Sequence, residues 1–152
     1  MKQGTRANFT GNQLEELIYF TLEKKGYKFV EKQKFDMARY IDQPIFTIQY
    51  PIARSVYDTQ LYCDFILFHP EKYPDCLVIE SKWQQSGGSV DEKFPYLVLN
   101  IRDQYPCATV VLLDGGGYKK GAEKWLRDQE DEKLTHIFNM VQFQKWANSG
   151  DL

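Results

Sequence analysis

Three charged residues stand where the sequence has least apparent reason to place them. Asp64 lies inside the run Tyr62-Cys63-Asp64-Phe65-Ile66-Leu67-Phe68, and Glu80 and Lys82 close the run Leu77-Val78-Ile79-Glu80-Ser81-Lys82-Trp83. An aspartate is a poor strand former and is costly to bury without a partner. In an extended chain residues two apart point to the same face, about 7 Å from one another, so Glu80 and Lys82 are neighbours. If the two runs pair through the turn between them, Asp64 joins Glu80 at one end of a sheet. Two carboxylates so placed suit a hard divalent cation, because Mg2+ takes carboxylate oxygens and keeps several of its waters. A lysine beside such an ion can hold and polarise an attacking water or a phosphate. The chemistry these residue types point to is phosphodiester hydrolysis, with Asp64 and Glu80 as metal ligands and Lys82 as the third catalytic member.

The surrounding elements must hold those residues. Asn12 can cap a helix whose apolar face is Leu14, Leu17, Ile18 and Leu22, and Lys24, Lys25 and Gly26 supply its end. Tyr27 to Val30 reads as a short strand, and Glu31 to Gln43 carries no firm pattern. Ile45 to Tyr50 alternates as a β-branched and aromatic strand ending at Pro51. Tyr62 to Phe68 and Cys76 to Trp83 are the next two strands. After a flexible loop from Ser86, Ser89 can cap a helix from about Val90 to Gln104. Thr109 to Leu113 is a continuous apolar run suited to a strand buried on both faces, broken by Gly115, Gly116 and Gly117. A helix over Tyr118 to Asp128, a strand near Ile137 to Met140 and a helix over Val141 to Ala147 complete the order. That order predicts an α/β fold, a mixed central β-sheet flanked by helices, in one domain over residues 1–152.

With Asp64 followed, after a hairpin-sized gap, by Glu80-Ser81-Lys82, the sequence resembles the PD-(D/E)XK nuclease superfamily, which includes many restriction endonucleases. The resemblance extends over roughly residues 12 to 130, because the element order matches as well as the motif. Cys63 departs from it, standing where the motif name has proline. What the resemblance implies is a restriction endonuclease-like core, Mg2+ as cofactor with Mn2+ as its substitute, and cleavage of DNA. The family often adds an acid from the first helix. Glu15 and Glu16 are both available, and helical geometry favours Glu15, which lies beside Leu22 at the edge of the apolar face while Glu16 points away.

The expected function is a Mg2+-dependent endonuclease on double-stranded DNA, of type II restriction kind, acting as a homodimer to cut both strands. Two rivals stay open: a branched-DNA (Holliday junction) resolvase or repair nuclease of the same fold, and a catalytically inactive DNA-binding or assembly module. Candidate DNA contacts are Gln84, which continues the face of Glu80 and Lys82, together with Lys93, Lys119 and Lys120. The bland reading of the charged triad is an ion-pair cluster at a sheet rim, which would contribute little.

The bulk numbers add bounds. The 152 residues carry a net charge of −2, so there is no global basic field and a nucleic-acid partner must be argued locally. Two basic clusters could supply one: Lys24, Lys25, Lys28, Lys32 and Lys34, and Lys119, Lys120, Lys124 and Arg127. Asp114-Gly115-Gly116-Gly117 reads as a turn, lacking phosphate-loop and dinucleotide glycine spacings. Cys63, Cys76 and Cys107 read as buried free thiols, and Trp83, Trp125 and Trp146 as core. His69 and His136 have no acid or cysteine at ligand spacing and are given no catalytic role. Nothing approaches the roughly 20 apolar residues of a membrane helix. Met1 to Thr10 lacks an apolar signal core, so the expected location is the cytoplasm.

Overall fold

In the first helix, α1 (Gly11–Lys24), Leu14, Ile18 and Leu22 recur every fourth residue and all three are fully buried. Gly26, at φ +92°, turns the chain out of it. The computed structural model describes residues 11–84, 87, 88 and 90–152. Ser86 and Ser89, proposed above as loop and helix cap, lie outside the described residues, as does Met1 to Thr10. Asn12 falls within the first turn of α1 rather than before it, and its side chain is also outside the description.

Six strands form one mixed sheet in sequential order: β1 (Lys28–Phe29), β2 (Ile45–Arg54), β3 (Gln60–His69), β4 (Tyr73–Trp83), β5 (Ala108–Asp114) and β6 (Leu134–Phe138). β2, β3 and β4 make an antiparallel meander, while β1 joins β2, β5 joins β4 and β6 joins β5 in parallel. Parallel neighbours need crossovers, and helices provide two of them: α3 (Phe94–Asp103) between β4 and β5, and α4 (Lys120–Arg127) between β5 and β6. A short helix, α2 (Phe35–Ala38), lies in the stretch before β2, and α5 (Met140–Trp146) follows β6. Among the described residues, none of the helices is long and apolar enough to cross a membrane.

The sheet is buried on both sides. Leu77 and Ile79 of β4 pack with Leu14, Ile18 and Leu22 of α1 and Phe143 of α5. Val78, between them, packs with Leu97, Val98 and Ile101 of α3 and Leu126 of α4. β5 is sealed from Thr109 to Leu113, as its unbroken apolar run predicts. It pairs with β4 without interruption from Leu77↔Ala108 to Trp83↔Asp114.

Several expectations change in detail. β2 does not stop at Pro51. The strand continues to Arg54 and accommodates the missing N–H through a register shift between Pro51 and Ala53. The helix expected from Val90 is a tight 3-10 turn over Val90–Lys93 before α3 proper, which starts where Pro95 can occupy its first turn. Tyr118 and Lys119 precede α4 instead of belonging to it. β6 runs Leu134–Phe138 rather than Ile137 to Met140, because Asn139 caps α5: its Oδ1 accepts the Gln142 N–H at 2.8 Å and Gln142 Oε1 accepts the Asn139 N–H at 2.9 Å. Glu31 to Gln43, unassigned above, contains α2 between two 3-10 turns. Trp125 is not core but exposed on α4, whereas Trp83 and Trp146 pack against the α1 side of the sheet.

Candidate active site

The hairpin inferred from the sequence forms. β3 and β4 pair as Phe65↔Ile79, Ile66↔Val78 and Leu67↔Leu77, and one step further along stand Asp64 and Glu80. The Asp64 backbone N–H donates to Glu80 Oε1 at 3.4 Å. Glu80, two residues beyond Val78, follows it onto the α3 side, where it is only 3% exposed. There Tyr105, just past α3, donates its hydroxyl to the same Oε1 at 3.3 Å. Lys82, two residues on, is half-buried and lines the same cleft as Glu80.

Asp64 is turned differently. Gln49 of β2 has φ +48° and lies between the pairs Ile48↔Phe65 and Tyr50↔Cys63, directly across from Asp64. The regular alternation fails there: Ile45 and Ile52 of β2 face the same side, as do Cys63 and Ile66 of β3. The irregularity directs the Asp64 carboxylate toward α1, where it lines a cleft with Glu15 and Glu16. Its Oδ2 accepts the Ser81 N–H at 2.8 Å and the Ser81 hydroxyl at 3.3 Å, and its Oδ1 accepts Gln49 Nε2 at 3.3 Å. Asp64 and Glu80 therefore meet at the end of the hairpin, with their carboxylates opening onto neighbouring clefts on the two sides of the sheet.

The electrostatics tie the group together. Burial first and the Asp64 charge second raise Glu80 from 4.5 to about 8, with Lys82 opposing both. Glu15 is raised by burial and then by Asp64, and Lys82 again lowers it. Of the two helix acids, Glu15 is thus the half-buried one within the field of the site, while Glu16 is exposed. Cys63 is held as a thiol, its pKa raised by burial and by the Glu80 and Asp64 charges. All three cysteines are free and buried, as expected.

Lys82 is anchored through its backbone: the Tyr118 hydroxyl donates to its carbonyl at 2.7 Å. Beyond it, Gln84 is buried, and its Nε2 donates to the Gly117 carbonyl at 2.9 Å while Gly117 N–H returns a bond to the Gln84 carbonyl. Gln84 is therefore buried rather than exposed, and its amide braces the turn after β5. Gly115 in that turn has φ +103°, and a Cβ there would lie 2.4 Å from the Gln84 oxygen, so only glycine fits. The remaining candidates are scattered more widely. Lys93 is exposed and lines the Glu80–Lys82 cleft. Lys119 and Lys120 are exposed at the start of α4, past the same end of β5 that pairs with Lys82, where the Lys119 N–H donates to Asp91 Oδ2 at 3.2 Å.

A family model described as a PD-(D/E)XK nuclease superfamily domain matches residues 6–150. The chain belongs to that superfamily. No curated protein and no solved structure gives a significant match to it. Membership in the PD-(D/E)XK superfamily makes the fold restriction endonuclease-like and the expected substrate a nucleic acid, and its nucleases generally use divalent metals, typically Mg2+.

The donor chemistry fits such an ion. Glu80 is a buried carboxyl group that takes part in none of the ion pairs among the described residues, so a bound cation would supply the compensation its ionised form needs. Among the described residues no three His, Cys, Asp or Glu side chains gather closely enough to hold a metal. The protein would thus contribute a partial carboxylate shell completed by water, which is the way Mg2+ is usually held. Tyr105, Ser81, Gln49 and Tyr118 were not singled out from the sequence. Ser81, inside the Glu-Ser-Lys motif, could have been placed from the hairpin register; the other three are joined to the site by folding alone.

Proposed function

We propose that the protein is a Mg2+-dependent endonuclease that hydrolyses phosphodiester bonds in DNA. The observation that carries the reading is the meeting of Asp64 and Glu80 at the end of the β3–β4 hairpin, with Lys82 one strand repeat further on. In a nuclease of this family Asp64 and Glu80 would hold the metal, which when bound supplies Lewis-acid stabilisation of charge on the phosphate. Lys82 stands where its ammonium can orient a water or offset charge on a phosphate oxygen. Glu15 would add a third acid on the α1 side. The Asp64 carboxylate is held in place by the Ser81 N–H and the Gln49 amide. The bland alternative, a plain ion-pair cluster, is disfavoured because Glu80 makes no ion pair among the described residues.

The test is cleavage of supercoiled plasmid. Wild-type protein is expected to nick or cut it only with Mg2+ or Mn2+ present, and Asp64→Ala to lose that activity by at least roughly 10²-fold, the scale of removing one preorganised electrostatic group. Equal cleavage by Asp64→Ala would overturn the assignment.

A further inference from the structure

The cleft that holds Glu80 and Lys82 has walls suited to more than a phosphate. Its lining includes Lys93 and the rings of Tyr62 and Tyr96. Tyr62 is 54% exposed, and Lys32 sits over its ring at 5.7 Å from the centroid. Tyr96 stacks on Tyr57, ring centroids 5.3 Å apart and planes 16° from parallel, and Tyr57 is itself 75% exposed. Flat rings at the mouth of a cleft, interleaved with ammonium groups, are the two components with which proteins hold unpaired nucleic acid: bases stack on the aromatics and the backbone lies along the cations.

We propose that this cleft is a stacking subsite for an unpaired nucleotide of the DNA substrate, so that the enzyme acts where a strand is locally unpaired rather than on uninterrupted duplex. The proposal rests on the nuclease reading for its substrate but on different residues for its support. In a duplex both faces of each base are covered by its neighbours, so exposed tyrosine rings beside the site have nothing to stack on; an unpaired base offers a free face at least cost. The cleft, about 190 Å³, has room for a single flat ring. Charge separates it from the cleft on the α1 side, which also has rings, Tyr19 and Phe20, but whose charged lining residues are the acids Glu15, Glu16 and Asp64. Without a bound cation a phosphate chain would be repelled there and attracted beside Lys82 and Lys93.

The experiment is a fluorescence titration in EDTA, where no cleavage occurs, using one duplex with 2-aminopurine in a three-nucleotide flap and the same duplex with that base fully paired. The flapped DNA is expected to bind roughly tenfold tighter and its 2-aminopurine to be quenched, within the 5- to 150-fold that stacking one base on an aromatic ring gives. Tyr62→Ala and Tyr57→Ala are expected to lose roughly fivefold or more of flap affinity, and Tyr62→Phe, which keeps the ring, to retain it. Trp125→Ala, an exposed aromatic on α4, is expected to keep the preference. Equal affinity for flap and duplex, or wild-type flap affinity in both tyrosine-to-alanine variants, would overturn the subsite. Plasmid cleavage lost in Asp64→Ala reports on the nuclease reading separately, so the failure of either can be told from the failure of the other.

Discussion

Lys82→Ala is expected to cut the rate of Mg2+-dependent plasmid cleavage by at least roughly 10²-fold while leaving the protein folded. The side chain is half-buried and makes no ion pair among the described residues, so its removal strands no partner. The strand end does not depend on it either, because Tyr118 holds the Lys82 carbonyl and β4 pairs with β5 as far as Trp83 and Asp114. What is lost is the positive charge that lowers the pKa of both Glu80 and Glu15 and so favours their ionised forms. Lys82→Arg is expected to recover only part of the rate, since a planar guanidinium does not reproduce a compact ammonium at one point. Rates measured under single-turnover conditions, with circular dichroism and the thermal midpoint as controls for folding, check this. A variant that cuts at the wild-type rate would remove Lys82 from the site.

Glu80→Gln is expected to do two opposite things: abolish cleavage, and make the metal-free protein more stable at pH 8. The folded state holds the Glu80 proton up to about pH 8, whereas the ordinary carboxyl value is 4.5. A group raised in this way leaves stability intact below pH 4.5. As the pH climbs from there toward 8 the unfolded chain gives up the proton and the folded chain does not, so stability falls throughout that window. Glutamine keeps an oxygen to accept from Tyr105 and from the Asp64 N–H but carries no charge to desolvate. At about 1.4 kcal/mol per pKa unit the gain at pH 8 has a ceiling of about 4 kcal/mol, less whatever the site relaxes. Urea unfolding at pH 5 and pH 8 in EDTA measures it: the wild type should weaken between the two and Glu80→Gln should weaken less. Parallel curves would mean that Glu80 ionises in the folded protein without cost.

The parts legible in the sequence were those governed by local periodicity. The four-residue recurrence of Leu14, Ile18 and Leu22, the sealed run Thr109 to Leu113 and the same-face spacing of Glu80 and Lys82 each translate directly into structure. The choice of Glu15 over Glu16 rests on helical angle; both acids line the cleft with Asp64, and Glu15 is the more buried of the two. What was not legible depends on backbone that leaves its regular pattern or on chains that meet only after folding. Nothing in Ile48-Gln49-Tyr50 announces the positive φ at Gln49 that swings Asp64 toward α1. Gln84 looked like the next outward residue of β4, yet the strand ends at Trp83 and the glycine turn after β5 closes over it. Tyr118 reads only as the start of a helix and Tyr105 carries no reading at all, because nothing short of the full sheet places their hydroxyls on the Lys82 carbonyl and on Glu80.

The account is tested most directly by isothermal titration of the metal-free protein with Mn2+ at pH 7, run in two buffers of different ionisation enthalpy. The prediction is saturable binding that releases protons, as Glu80 exchanges its proton for the ion, and that disappears in both Glu80→Gln and Asp64→Asn. Wild-type protein that takes up no Mn2+, or binding that survives unchanged in both variants, would contradict it.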